Sequence, residues 1–191
     1  MSKPKTKKII NTFTSVILVI FLAICVLALV SSFVMKNNNE GTVNIFGHQM
    51  LVVITNSMGK CDATDVSGYE IGSIPQGSMI FIQSVPKDKA AADEWYADLK
   101  KGDVLTFRYV YAQQITITHR ITSIEEKEGG YIISLAGDNV NADTQDQLYQ
   151  TIDTSRENDP NYVMGKVIWT SYPFGLVIGA FQRAIYAIFK E

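Results

Sequence analysis

From Ile9 to Met35 no charged residue interrupts the chain, and residues 16–30 are almost wholly aliphatic, with Phe33 and Val34 extending the run. A helix rising ~1.5 Å per residue needs about 20 residues to cross ~30 Å of hydrocarbon, so this pattern predicts a membrane-spanning helix over 9–35. A cleaved signal peptide would carry a shorter apolar core and end in a small-x-small site, whereas Ala28-Leu29-Val30 ends in Val. Residues 36–47 open with Lys36 and three Asn in a row and read as a polar linker.

Beyond the linker the period falls to two. Strands are expected over 48–55, 78–85, 103–110, 114–124, 131–135 and 163–170, with a turn at Gly129-Gly130. One helix is expected at 89–100, which is rich in Ala, Glu, Trp and Leu. There is no βαβ rhythm and no repeat. The fold class is therefore mostly β: a coiled antiparallel β domain over 48–172 on an N-terminal transmembrane helix. Residues 173–191 are expected to form a short C-terminal helix. Its apolar stretch of 16 residues gives about 24 Å, less than a bilayer core. Phe174, Val177, Ile178, Phe181, Ile185 and Ile188 fall on one stripe, so the helix is expected to lie in the membrane interface, with a second span as the alternative.

Charge adds an orientation. Lys3, Lys5, Lys7 and Lys8 precede the apolar run and no basic residue follows until Lys36, which predicts a cytoplasmic N-terminus and an extracytoplasmic body in a single-pass cell-membrane protein. With those lysines set aside, the rest of the chain is more acidic than its net charge of −2, and that argues against a nucleic-acid surface. Cys25 and Cys61 are too few for a disulfide scaffold or a multi-thiolate zinc site.

Three places carry candidate chemistry. Ser57 ends the apolar strand pattern in Ile54-Thr55-Asn56-Ser57-Met58-Gly59; a serine there is a nucleophile candidate or an ordinary turn residue. In 114–124 the alternation puts Ile115, Ile117, His119 and Ile121 on one face, and Thr116, Thr118, Arg120 and Thr122 on the other. His119 is then either a satisfied core histidine or a neutral imidazole serving as a base. Gly137-Asp138-Asn139-Val140-Asn141-Ala142-Asp143 reads as an Asx-rich turn, and a carboxylate from it could orient the His119 ring.

The order of these pieces resembles the type I signal peptidases of the endoplasmic-reticulum and archaeal type, which also occurs in some Gram-positive bacteria. The resemblance covers nearly the whole chain. It rests on the anchor, Ser57-Met58, Ile74-Pro75-Gln76-Gly77-Ser78, Lys100-Lys101-Gly102-Asp103-Val104-Leu105-Thr106-Phe107, Thr118-His119-Arg120-Ile121, the Gly137–Asp143 motif, Gly165-Lys166-Val167 and Tyr172-Pro173-Phe174-Gly175.

This resemblance implies a membrane-bound serine endopeptidase that removes signal peptides from exported preproteins. Ser57 matches the nucleophile. His119 stands where the other bacterial branch has a lysine base. The acid falls in the Gly137–Asp143 motif, with Asp143 the first choice and Asp138 the second. Thr55 replaces a serine found two residues before the nucleophile and is the oxyanion-hole candidate. Ser78-Met79 repeats the Ser-Met pair, but at a position where the family leads into a strand. No metal or nucleotide cofactor is called for. The implied partners are exported preproteins, the lipid bilayer and the secretion translocon. The sequence departs from the family at Thr55-Asn56, usually Ser-Gly, at Lys60, usually Pro, and in a longer connection over 61–73. Those departures motivate the alternative, a catalytically silent membrane-tethered β domain that binds or scaffolds exported proteins.

Overall fold

In the computed structural model the alternating segments pair into one antiparallel sheet of eight strands, ordered β1-β2-β3-β8-β4-β5-β6-β7. The strands are β1 Asn44–Ile45, β2 His48–Val52, β3 Met79–Ser84, β4 Val104–Tyr109, β5 Ile115–Lys127, β6 Gly130–Ala136, β7 Tyr149–Asp153 and β8 Tyr162–Ser171. Residues 12–19, 21–22, 25, 44–109, 115–140, 149–156 and 162–188 are described by the structure. Two compact units are distinguished, Met1–Val43 and Asn44–Glu191.

In the first unit, residues 12–19, 21–22 and 25 are helical. Phe13, Val16, Ile17, Leu18, Val19, Phe21 and Leu22 on this stretch are all exposed. The rest of the expected 9–35 span lies outside the described residues. Among the described residues no helix is long and apolar enough to cross a membrane.

The second unit starts at Asn44, four residues earlier than the sequence pattern suggests, because 44–45 pair back onto His48 and Gln49 across a tight turn. That turn places Phe46 and Gly47 at φ +52° and +81°. Two strands were not expected, β1 and β7, so the sheet has eight strands rather than six. Strand β2 stops at Val52 rather than at residue 55. Past it, Val53 bonds to both ends of the next turn: its N–H donates to Ser78 O at 2.8 Å, and its carbonyl accepts from Gly77 N at 2.7 Å.

Four consecutive buried residues on β4, Val104 to Phe107, show that the sheet is covered on both faces. Val104 joins an apolar cluster with Val53, Met58, Ile74, Ile80, Ile82 and Val167. Leu105 and Phe107 face a second cluster with Ile121, Ile133, Leu135, Ile152 and Val163, capped by Trp95 and Leu99. Register shifts at Phe81/Ile82, Thr106/Phe107 and Ile121/Ser123 bend the strands between the two clusters, the usual effect of a bulge.

The helix Lys89–Ala97 begins at an Asp88 N-cap, whose carboxylate accepts from Ala91 N at 3.0 Å. It ends three residues before the expected residue 100. There the Asp103 carboxylate takes the Lys100 N–H at 3.1 Å and turns the chain into β4. The C-terminal helix, Tyr172–Ile188, follows β8 without a loop. A Cβ on Gly175 would stand 2.1 Å from Gly77 O and 2.5 Å from Met79 N, so glycine lets the helix backbone lie directly against the start of β3. Tyr172, Phe174, Leu176 and Val177 of this helix are exposed.

Candidate active site

Strand β5 supplies two neighbouring side chains to opposite faces. His119, only 2% exposed, looks into the second apolar cluster, opposite Leu105 in register and with its ring 6.3 Å from that of Phe107. Arg120 looks the other way and is also buried. Its Nε donates to Asp138 Oδ1 at 2.8 Å and its Nη2 to Asp138 Oδ2 at 2.7 Å, a two-pronged pair. Nη1 donates to the carbonyls of Ile71 and Gly102, both at 2.8 Å, and Nη2 to that of Gly72 at 3.2 Å. The Tyr69 ring covers the guanidinium at 4.9 Å from its centroid.

This clamp determines where the loop after β6 runs. Asp138 is fixed by Arg120, and the next residue, Asn139, grips the Ser57 turn: its N–H donates to Ser57 O at 2.8 Å, and its Nδ2 to Asn56 O at 3.1 Å. The loop over 61–73 packs on the same clamp through Tyr69, Ile71 and Gly72. Thus β5, the loop after β6, the longer connection and the serine turn are tied together by one buried arginine.

Ser57 lies in a turn five residues beyond the end of β2, not at a strand end as expected, and it is buried. The partner of its Oγ is the Thr55 hydroxyl at 3.3 Å rather than the His119 ring. Thr55 itself is exposed. Ser78 is fully buried, and its hydroxyl has no hydrogen-bond partner among the described residues. Asp138, the second choice for the acid, has both oxygens on Arg120, so its carboxylate serves the clamp and not the histidine. Asp143, the first choice, lies outside the described residues.

The sequence reading missed Gln150. It sits on β7, is 5% exposed, and its Oε1 lies 2.5 Å from His119 Nδ1. The only signal for it is a faint alternation in Tyr149–Asp153, where Gln150 and Ile152 are buried and Tyr149 and Thr151 are not.

Other motif residues prove to be architectural. A Cβ on Gly102, at φ +97°, would run into the Tyr69 ring at 2.2 Å. One on Gly165 would meet Gln83 O at 2.2 Å, so that glycine lets β8 approach β3. Lys166 pairs with buried Asp103 at 3.0 Å. Neither Cys25 nor Cys61 is in a disulfide. Among the described residues no group of three or more His, Cys, Asp or Glu stands close enough to hold a metal ion. A cavity of about 240 Å³ lies away from both Ser57 and His119, lined by Tyr96, Tyr131, Ile152 and Asp153 among others. Two carboxylates line it, Asp93 and Asp153, and that of Asp153 is engaged by Lys127 and Ser155; neither a serine nor a histidine is in the lining.

Scanned against protein-family models the chain matches none, and no curated protein matches it.

Proposed function

We propose that the chain is a membrane-anchored serine endopeptidase of the signal-peptidase type, with Ser57 as nucleophile and His119 as general base. The observation that carries this reading is the bond from Asn139 N–H to the Ser57 carbonyl, 2.8 Å long. It draws the serine turn to the loop leaving β6, the strand whose last residue, Ala136, pairs with Arg120, next to His119. In the proposed reaction His119 takes the Ser57 proton and the alkoxide attacks the scissile carbonyl. The imidazolium gives its proton to the leaving amine, and water activated by His119 releases the acyl-enzyme. Catalytic hydrogen bonds commonly tighten only when substrate is present, which accommodates a resting Ser57 turned toward Thr55. The Thr55 hydroxyl and the Ser57 backbone N–H are the proposed oxyanion donors.

The sheet topology supports strand addition by the substrate. Strand β1 covers only His48 and Gln49 of β2, so the β1 side of Met50–Val52 is paired with no other described strand. That stretch leads toward Ser57, and an extended peptide bonded along it would read alternate side chains. The exposed apolar side chains between Phe13 and Leu22, with the lysines before them, support an anchor with the catalytic domain outside the cytoplasm. An anchor holds enzyme and cleavage site in one plane at high effective concentration.

One observation favours the alternative, a silent binding or scaffolding domain: Ser57 Oγ engages Thr55 and not His119. A purified preprotein separates the two readings. The proposal expects cleavage by the full chain and none by Ser57→Ala; absence of cleavage by the wild-type chain, or equal cleavage by both, favours the silent domain.

A further inference from the structure

Gln150 lies on the face of β7 that also carries Ile152, opposite Leu135 of β6, so its amide enters an apolar cluster. An amide buried there costs free energy unless it is paired. One partner is the His119 ring, with Oε1 2.5 Å from Nδ1. A carbonyl oxygen can only accept, so Nδ1 carries a proton, and in the neutral ring the lone pair is then on Nε2.

Building on the serine-endopeptidase reading above, we infer that Gln150 is a positioning residue of the base, its side-chain oxygen holding His119 as the Nδ1–H tautomer so that Nε2 receives the Ser57 proton. The proton balance is closed. Ser57 O–H gives its proton to Nε2, and Nδ1–H stays bonded to Gln150. The imidazolium then returns the Nε2 proton to the leaving amine. A neutral amide orients the ring without adding charge. On β4 the residues facing His119 are Leu105 and Phe107, which are uncharged. Arg120, adjacent on β5, points to the other face and is paired with Asp138. A carboxylate at position 150 would instead favour the imidazolium and move the working range to higher pH.

The test uses the full chain, whose only histidines are His48 and His119, so a His48→Ala background leaves one imidazole to observe. Nitrogen-detected NMR should show the Nδ1–H tautomer, and Gln150→Glu should raise the His119 titration midpoint by about one unit or more. With a preprotein substrate, Gln150→Leu should lower kcat by about 10–100-fold with KM little changed, by analogy with the partners that orient metal-bound histidines. Gln150→Glu should recover turnover, with the acidic limb of its pH profile shifted upward. An Nε2–H tautomer in the parent chain, or an unmoved midpoint in Gln150→Glu, overturns the inference. So does an unchanged kcat and pH profile in Gln150→Leu while Ser57→Ala is inactive. If no variant and no wild-type chain cleaves, yet the tautomer and the shifted midpoint are found, the protease reading falls and the ring-holding role of Gln150 stands.

Discussion

Asp138→Asn separates the two roles open to that residue. Arg120 is 4% exposed and Asp138 3%, and two short bonds join them. Removing one partner of a buried ion pair costs about 3–5 kcal/mol, because the other charge is left uncompensated. Asparagine keeps one acceptor oxygen but turns an NH₂ toward a guanidinium that has only donors. Three carbonyls, of Ile71, Gly102 and Gly72, still hold Arg120, so the loss should sit near the lower end, about 3 kcal/mol. For a chain of 191 residues that corresponds to a fall in melting temperature of about 6–12 °C. Thermal unfolding followed by fluorescence of Trp95 and Trp169, the only tryptophans, reads it directly. Well below both melting points, preprotein cleavage should fall by less than about tenfold, since the carboxylate does not touch His119. A variant that melts within about 2 °C of wild type would refute the clamp energetics. One that melts normally but loses on the order of 10⁴ in turnover would make Asp138 the acid that orients the base.

Ser57→Ala should abolish cleavage while Ser78→Ala keeps most of it, because Ser78 is walled in under the C-terminal helix; the reverse pattern in a preprotein assay would move the nucleophile. Wild-type activity should rise with pH as the His119 imidazolium loses its proton, and a rise only above about pH 9 would point to a lysine base. Burial pushes the Tyr96 phenol from 10.0 up to about 12, so the folded state keeps a proton that the unfolded chain loses. Stability should therefore decline as pH rises above about 10 and level off above about 12, a loss approaching about 3 kcal/mol. Tyr96→Phe should remove that decline in urea unfolding series, and parallel losses in both proteins would contradict it. Gly175→Ala should lower stability by about 1–3 kcal/mol by forcing the helix off Gly77 and Met79; an unchanged melting temperature would mean the helix is not seated there.

The strands that were legible are those whose buried face is mostly apolar. In β5 the alternation of Ile117, His119 and Ile121 matches the observed faces, until the shift at Ile121/Ser123 brings Ile124 inward. Strand β7 was not legible because one of its two buried positions is Gln150, which breaks the apolar pattern that marks a half-buried strand. Strand β1 escaped because two residues are too short to show any period; only the turn at Phe46-Gly47 betrays it. Helix ends were misplaced where a side chain, such as the Asp103 carboxylate on Lys100 N–H, competes for a backbone donor.

The candidate site divides along the same line. Ser57 and His119 can be named from the order of motifs, but the groups touching them come from register, which the motif order does not contain. Residue 150 faces 135 across β6 and β7, and 121 faces 135 across β5 and β6. That places Gln150 two strands away from the strand of His119. Strand β6 ends at Ala136, paired with Arg120, and His119 lies one residue past the end of that pairing. Beyond the end of the intervening strand, a long side chain on β7 has a path to a ring on β5 that a paired strand would close. A glutamine reaches across that gap, and its oxygen meets Nδ1. The partner of a buried histidine is therefore to be sought among long polar residues at strand ends, wherever a shorter neighbour leaves the sheet open. Acidic motifs nearby in sequence can be committed elsewhere, as Asp138 is to Arg120.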